Sequence, residues 1–318
     1  MTEVAVIVPT HNRPDMLAIT LRSVLTQQDA DLTVTVVDDG SADAQAVPSV
    51  IDALSDPRLR LVRLDPSQGV CAARNAGITS TSSEWIAFCD DDDVWARQKL
   101  NAQLTVARGG SAGWAYTGDV TIDGELRVLY GAPPLPPRQL VEALGQYNPV
   151  PAGSSNVLVR RSVLSNVGLF DPTLRSVGDW DLWVRLGRHG LPACVPDPLV
   201  GCRVHDRTIT RNRQLMLEEV AIVADRHHLP VDLARHFRWA AWNSMLEGRR
   251  LEAVQHYAHA VRHGDLASIG RSAIALMYPR IAHRHLAGPV SSWARDAQDW
   301  LDALREQSAD PNEGPSHR

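Results

Sequence analysis

Lysine is almost absent: Lys99 stands alone beside 31 arginines. Chemistry that needs a lysine well beyond position 99 is thereby excluded. Cysteine is sparse. Cys71, Cys89, Cys194 and Cys202 lie far apart, with none of the paired spacing that holds a metal. Reduced thiols in a cytoplasmic protein account for them. No apolar run approaches the length of a membrane-spanning helix, so no transmembrane segment is expected. The start, MTEVAVIVPTHN, has no basic lead, long apolar stretch or small-residue cleavage site, so no secretion signal is expected either. Excess positive charge is also missing. With 32 basic and 37 acidic residues the formal net charge is −5, which argues against a nucleic-acid partner.

What is present is the mix of a globular chain. It has 318 residues, 44% hydrophobic and 22% charged, enough for a sizeable core without disulfides. That length suits one large domain or two ordinary ones. Residues 4–9 (VAVIVP) are a continuous apolar run and predict a buried strand. Pro14 and Asp15 open a helical pattern over 14–28. Further strands are expected at 33–38, 59–64, 84–89, 156–160 and 199–204. Helices are expected at 69–79, 94–108 and 179–189. Alternating β and α with short links means a mostly parallel sheet covered by helices, with ligands beyond the carboxyl ends of its strands. Residues 131–137 (GAPPLPP) are a rigid crossing with no room for a helix or central strand. From about residue 213 the periodicity turns helical, predicting three to five helices to residue 305. The expected divisions are therefore 1–212, 213–305 and a disordered polar tail over 306–318.

The strongest chemical feature is FCDDDDVW at 88–95. Four adjacent carboxylates repel one another, and a chain tolerates them in water or around a cation. In extended backbone Asp90 and Asp92 share one side and Asp91 and Asp93 the other. Such an Asp-x-Asp pair offers two hard oxygens to Mg2+ or Mn2+ and leaves room for phosphate. Asp93 also suits a helix start. A second feature, VVDDGS at 36–41, is turn chemistry at a strand end, where a carboxylate can accept from a base N–H or a ribose hydroxyl.

In order along the chain, VIVPTHNRP (6–14), VVDDGS (36–41), GVCAARNAG (69–77) and WIAFCDDDDVWARQKL (85–100) resemble the inverting family 2 glycosyltransferases of the GT-A fold. The resemblance covers about the first two thirds of the chain and implies a Rossmann-like sheet with a helical C-terminal region. It further implies that Pro9, Thr10 and Asn12 line a nucleotide pocket, that Asp39 contacts the base, and that Arg74 supports the nucleotide end. Asp90 and Asp92 match the family's Asp-x-Asp element, with Asp92 ligating metal and Asp90 and Asp91 near ribose or metal-bound water. SVGDWDLWVRLGRHG (176–190) resembles the segment that carries the catalytic base, making Asp179 the first choice and Asp181 the second. The family form has an acidic residue where this chain has Gly178. A helix N-terminus at Asp179 is expected to lower its pKa. CRVHDRTIT (202–210) resembles the strand that brings a histidine, here His205, to the metal or diphosphate. PAGSSN (151–156) resembles the loop that shapes the acceptor and sugar pocket. Trp180 and Trp183 either stack on a sugar or pack the core, with core preferred for Trp183.

The expected reaction is displacement at the anomeric carbon of a nucleotide-diphosphate sugar by an acceptor that Asp179 deprotonates, with Mn2+ or Mg2+ as cofactor. The acceptor is a glycan, lipid-linked, small-molecule or peptide nucleophile. The arginine-over-lysine skew points to a bacterium with a GC-rich genome. Helices of 213–305 have open uses: covering the acceptor site, pairing two copies, or docking on a membrane or carrier. Three alternatives remain, one of them a non-catalytic carbohydrate-binding or scaffold protein that kept the fold, against which the intact acidic cluster and Asp179 argue. A haloacid-dehalogenase-type phosphatase would use Asp90-x-Asp92 but needs a downstream lysine. A sugar nucleotidyltransferase would need a glycine-rich phosphate loop that VPTHNRPD lacks.

Overall fold

The first strand is buried at every position, as an uninterrupted apolar run requires when both faces of a sheet are covered. This β1 (Val4–Thr10) pairs in parallel with β2 (Leu32–Asp39) on one side and β4 (Trp85–Phe88) on the other, and β2 pairs in parallel with β3 (Leu59–Leu64). Helix α1 (Pro14–Leu25) links β1 to β2, α2 (Ala46–Leu54) links β2 to β3, and α3 (Val70–Thr79) links β3 to β4. Pro14 holds the first helical position, where its missing N–H costs nothing. Gly77 lets α3 settle onto β1, since a Cβ there would lie 2.3 Å from the Ile7 side chain. The computed structural model describes residues 3–204, 213–277 and 290–308.

Beyond the acidic run come β5 (Val94–Trp95), α4 (Lys99–Gly109), β6 (Trp114–Ile122), β7 (Val128–Ala132), α5 (Pro137–Ala143), β8 (Leu158–Arg160), α6 (Arg161–Val167), α7 (Gly178–His189) and β9 (Ala193–Arg203). The sheet runs β3-β2-β1-β4-β8-β6-β9-β5, with β7 pairing beside β6. Its first half is parallel throughout; antiparallel pairs enter with β8, β7 and β5. The helix expected at 94–108 starts only at Lys99, because Trp95 is held extended. Its amide donates to Ser23 Oγ at 3.1 Å and its indole N–H to the Ser155 carbonyl at 2.9 Å. Strand β6 was not expected, since Thr117, Gly118 and Asp119 interrupt its apolar pattern. The proline-rich stretch 131–137 does carry the end of β7 and the first residue of α5, as edge strand and helix start.

The described chain divides into two compact units. The first holds the sheet and its helices. It also takes in the short helices Ser292–Arg295 and Gln298–Ser308, although sequence periodicity groups most of this stretch with the preceding helices. There Ala294, Ala297, Leu301 and Leu304 share a core with Val94, Val120, Ile122 and Leu126. The Trp293 indole N–H donates to the Pro196 carbonyl at 3.0 Å, and its ring fills the space left by the missing side chain of Gly118. The second unit contains α8 (Arg213–His227), α9 (Leu233–Leu246), α10 (Arg250–Arg262) and α11 (Ser268–Met277). Ala241, Met245, Ala253 and Tyr257 form its core, and buried Arg213 bridges Glu247 and Glu252. The expected polar tail lies outside the described residues from 309 onward.

Candidate functional site

Three strand ends, those of β1, β2 and β4, converge at one edge of the sheet. Thr10 pairs with Asp38 in register, and Ile7 with Phe88 just before the acidic run. Past β1 the chain turns through Asn12, whose φ of +56° lies in the left-handed region that asparagine tolerates better than most residues. The Asn12 amide donates to Ser41 Oγ at 2.9 Å, and its side-chain oxygen accepts from the Ala42 amide at 2.8 Å. The Thr-His-Asn segment is thereby clasped to the DDGS turn. His11 Nδ1–H donates to the Asp39 carbonyl at 2.7 Å, which leaves Nε2 to accept from Asn12 Nδ2 at 2.8 Å.

The two aspartates of DDGS have separate duties. Asp38 is buried, pairs with Arg63 and accepts from the Ser41 amide at 2.9 Å. Asp39 accepts from Ser67 Oγ at 2.8 Å and from the amides of Gln68 and Gly69 at 2.7 and 2.9 Å. It thus organises the turn that launches α3. Gly40, at φ +71°, is needed there because a Cβ would meet the Ser67 amide at 2.7 Å. Pro9 lies between Val8 and Thr10 in the fully buried β1.

At the acidic run the backbone turns rather than staying extended, with the Asp93 amide donating to the Asp90 carbonyl at 3.1 Å. Asp91 and Asp93 are nevertheless buried, and Asp90 and Asp92 partly open. Asp91 accepts from Thr10 Oγ1 at 2.7 Å and from Arg13 Nη1 at 3.0 Å. The same Arg13 nitrogen donates to Asp92 Oδ2 at 2.8 Å. Asp93 accepts from the Arg203 amide at 3.1 Å. Thr20 Oγ1 lies 2.9 and 2.7 Å from the carbonyls of Asp91 and Asp93 and fixes the turn from α1. Ser155, in the 3-10 turn Gly153–Asn156 of PAGSSN, accepts from the Asp90 amide at 2.9 Å. Burial raises Asp91 to about 6, Asp92 adds to the rise, and Arg13 and Thr10 oppose it. Burial likewise drives Asp93 well up.

Arg74 reaches this turn from α3. Its Nη2 donates to Asp90 Oδ1 at 2.5 Å, and its guanidinium lies 5.3 Å from the Phe170 ring centre. Burial works against its charge, but Asp90, Cys71 and Asp179 outweigh that and raise its pKa. Its Nε is buried and makes no hydrogen bond among the described residues. Asp179, in the first turn of α7, accepts from Asn148 Nδ2 at 2.9 Å and from the Trp180 amide at 2.7 Å. Arg74 therefore draws on two carboxylates, Asp90 and Asp179, that lie far apart in sequence.

The expectation of a lowered Asp179 pKa is corrected here: the pKa is raised. Burial is the largest cause, with Asp90 adding to it, while Arg74, the Trp180 amide and Asn148 pull the other way. A helix N-terminus is worth about 1 kcal/mol, less than one pKa unit, whereas full burial moves a carboxyl by up to about 3–5 units. Gly178 has a local reason too. A Cβ there would meet Cys71 Sγ at 2.3 Å, so the thiol occupies the space an acidic side chain needs. Asp181 is turned to Arg185, 2.8 Å away, which in turn donates to the carbonyls of Val167, Gly168 and Leu169. Both tryptophans are core: Trp183 stacks on Trp114 with centroids 6.4 Å apart, and the Trp180 indole donates to the Leu144 carbonyl at 2.9 Å. His205 lies outside the described residues.

Asp90 and Asp92 are the members of the run that would hold a divalent cation, since they are partly open whereas Asp91 and Asp93 are buried, although Arg74 and Arg13 already pair with them. Two hard carboxylates suit a hard ion that keeps other positions for water and phosphate. Among the described residues no group of three or more His, Cys, Asp or Glu is placed to hold a metal. Lys99 is buried, its Nζ 3.8 Å from the centre of the Trp95 ring and 2.9 Å from Gln103 Oε1. The phosphatase alternative thus has no lysine to use. Sequence reasoning assigned no role to Arg13, His11, Thr20, Asn148 or Ser155. Arg13 and His11 had a signal inside VPTHNRP and Ser155 inside PAGSSN; Thr20 and Asn148 reach the site through tertiary contacts.

The Glycosyl transferase family 2 model matches residues 5–168, more than half of the chain. The succinoglycan biosynthesis protein ExoO of Rhizobium meliloti (strain 1021) is 28% identical over 311 residues, spanning 92% of this chain and 86% of that protein. Among solved structures, S. aureus TarS 1-349 in complex with UDP-GlcNAc superposes with a TM-score of 0.59 at 16% identity, covering 96% of this chain and 91% of that one. The mannosyltransferase PcManGT from Pyrobaculum calidifontis, in complex with GDP-Man and Mn2+, gives 0.56 at 18% identity, covering 98% and 88%. The structural likenesses bear on the fold, and the family match with its acidic turn and strand-end clasp bears on the kind of enzyme: this chain belongs to glycosyl transferase family 2 and is a glycosyl transfer enzyme with a GT-A fold.

Proposed function

We propose that the enzyme moves a sugar from a nucleotide-diphosphate sugar to an acceptor nucleophile by a single displacement that inverts the anomeric centre. The observation that carries this reading is the joint approach of Asp90 and Asp179 to buried Arg74. It sets a candidate donor-binding carboxylate and a candidate base around one cation. In the step, Asp179 takes the proton of the acceptor hydroxyl or amine. The acceptor atom bonds to the anomeric carbon as the bond to the diphosphate oxygen breaks, and the nucleoside diphosphate leaves. The raised pKa of Asp179 suits it to hold that proton. Asn148 orients one of its oxygens, and the Arg74 Nε–H is a donor suited to a phosphate oxygen. Mn2+ or Mg2+ at Asp92 and Asp90 would neutralise charge growing on the leaving diphosphate.

Pro9, Thr10, Asn12 and Asp39 would form the nucleotide end, with Asp39 acting through the 67–69 turn that it holds. His205 remains the proposed third contact to metal or diphosphate. Asp181, engaged by Arg185, serves the fold in this reading. The work belongs to residues 1–212 together with the terminal helices that complete their core, and the helices of 213–277 remain for acceptor, carrier or self-association. No helix among the described residues is long and apolar enough to cross a membrane. A cytoplasmic site of action, where nucleotide sugars are made, is part of the proposal.

The test is donor turnover with Mn2+ for the wild type and Asp179→Asn. The variant is expected to lose about 10²- to 10⁴-fold in transfer, the usual contribution of a general base, while still binding the nucleoside diphosphate. Unchanged turnover would overturn the base assignment. A thermal-shift panel of nucleoside diphosphates with and without Mn2+ names the donor base. Stabilisation is expected from one diphosphate with metal and is expected to vanish in Asp92→Asn.

A further inference from the structure

We propose that Arg13 is a tethered counter-cation for the acidic turn, so that tight divalent-cation binding waits for the diphosphate that relieves Arg13 of Asp92. The inference rests on the metal and donor assignment above and deepens it.

One guanidinium nitrogen serves two carboxylates, at 3.0 Å from Asp91 Oδ1 and 2.8 Å from Asp92 Oδ2. The pairing is sheltered, with the Arg13, Asp91 and Asp92 side chains only 14%, 6% and 13% exposed. Such a pair is screened little by solvent. Its geometry is also built rather than incidental. Asn12, immediately before it, is pinned to Ser41 and Ala42, and Asp91 is pinned by Thr10 and Thr20. Both ends of the contact are therefore held by the sheet edge.

A cation arriving at Asp92 meets a positive charge already within hydrogen-bond distance of the oxygen it needs. Like charges at such range repel strongly in a sheltered site. Asp92 can be handed over only if the guanidinium turns away, and Asp91 remains as its second anchor. A diphosphate at the strand ends gives the freed N–H groups what they suit best, paired anionic oxygens. Cation and diphosphate would then favour each other's binding through Arg13, with equal strength in both directions. Arg13 acts through Asp92 and is a positioning residue.

The test follows the free Mn2+ signal by electron paramagnetic resonance in titrations of the full chain, alone and with inorganic pyrophosphate, corrected for the Mn2+ that pyrophosphate binds by itself. The wild type is expected to bind Mn2+ weakly alone and at least tenfold tighter with pyrophosphate. Arg13→Gln is expected to bind Mn2+ alone at least tenfold tighter than wild type and to lose most of the pyrophosphate gain. Arg13→Lys, which keeps the charge, should stay near wild type. A purely structural Arg13 would loosen the site on removal, never tighten it. Equal or weaker Mn2+ binding by an Arg13→Gln protein that melts like wild type overturns the inference. Should Asp92→Asn keep wild-type Mn2+ affinity, the cation is not at Asp92 and the donor-site reading itself fails.

Discussion

Asp91 and Asp92 are neighbours in one acidic run, yet Asp91 is buried and Asp92 partly open. Burial raises Asp91 from 3.8 to about 6, with Asp92 adding and Arg13 subtracting. Between those values the folded protein holds a proton that the unfolded chain has released. Protonation therefore favours the fold: the gain is full below about 3.8 and is lost as pH rises through about 6. Thermal melts of wild type against Asp91→Asn from pH 7.5 to pH 4 test this. Wild type is expected to gain up to about 3 kcal/mol on the variant as pH falls, at about 1.4 kcal/mol per pKa unit. A flat difference would show that Arg13 cancels the burial.

Helix α1 does more than cover the sheet. Thr20, wholly buried on its inner face, reaches the carbonyls of both Asp91 and Asp93. Thr20→Val keeps the shape and removes the hydroxyl, leaving buried carbonyl oxygens a partner short. Denaturant unfolding is expected to show a loss of about 1–3 kcal/mol. Weaker Mn2+ binding should accompany it, since the turn that presents Asp92 loosens. At this scale the sequence was legible where short-range pattern suffices. The apolar run of β1 and the proline start of α1 are local signals, and both elements begin where these signals put them. Strand β6 escaped because its middle, Thr117-Gly118-Asp119, is paired and covered by segments distant in sequence. Of the site, the motif segments were legible, whereas the partners of each carboxylate were not.

Across the molecule, the chain returns to its first unit at the far end. Ala294, Leu301 and Leu304 complete a core with Val120 and Ile122 of β6. Leu301→Ala should cost about 2–5 kcal/mol by loss of burial and the cavity left behind. Calorimetry should show that cost in the transition of the sheet unit, with transfer activity falling only as the unit melts. A loss confined to the helices of the second unit would contradict this packing.

The alternation of strand and helix in the first ninety residues, the placing of acidic and turn residues at strand ends, and the family these motifs declare were determined by the sequence alone, because they rest on runs of a few residues and their periodicity. Which carboxylates stay open was decided only by tertiary structure. So were the grip of Arg13 on Asp92, the raised pKa of Asp179 and the thiol of Cys71 standing where Gly178 has no side chain. Burial and charge pairing depend on neighbours tens of residues away in the chain, and only the closed sheet brings them within hydrogen-bond reach.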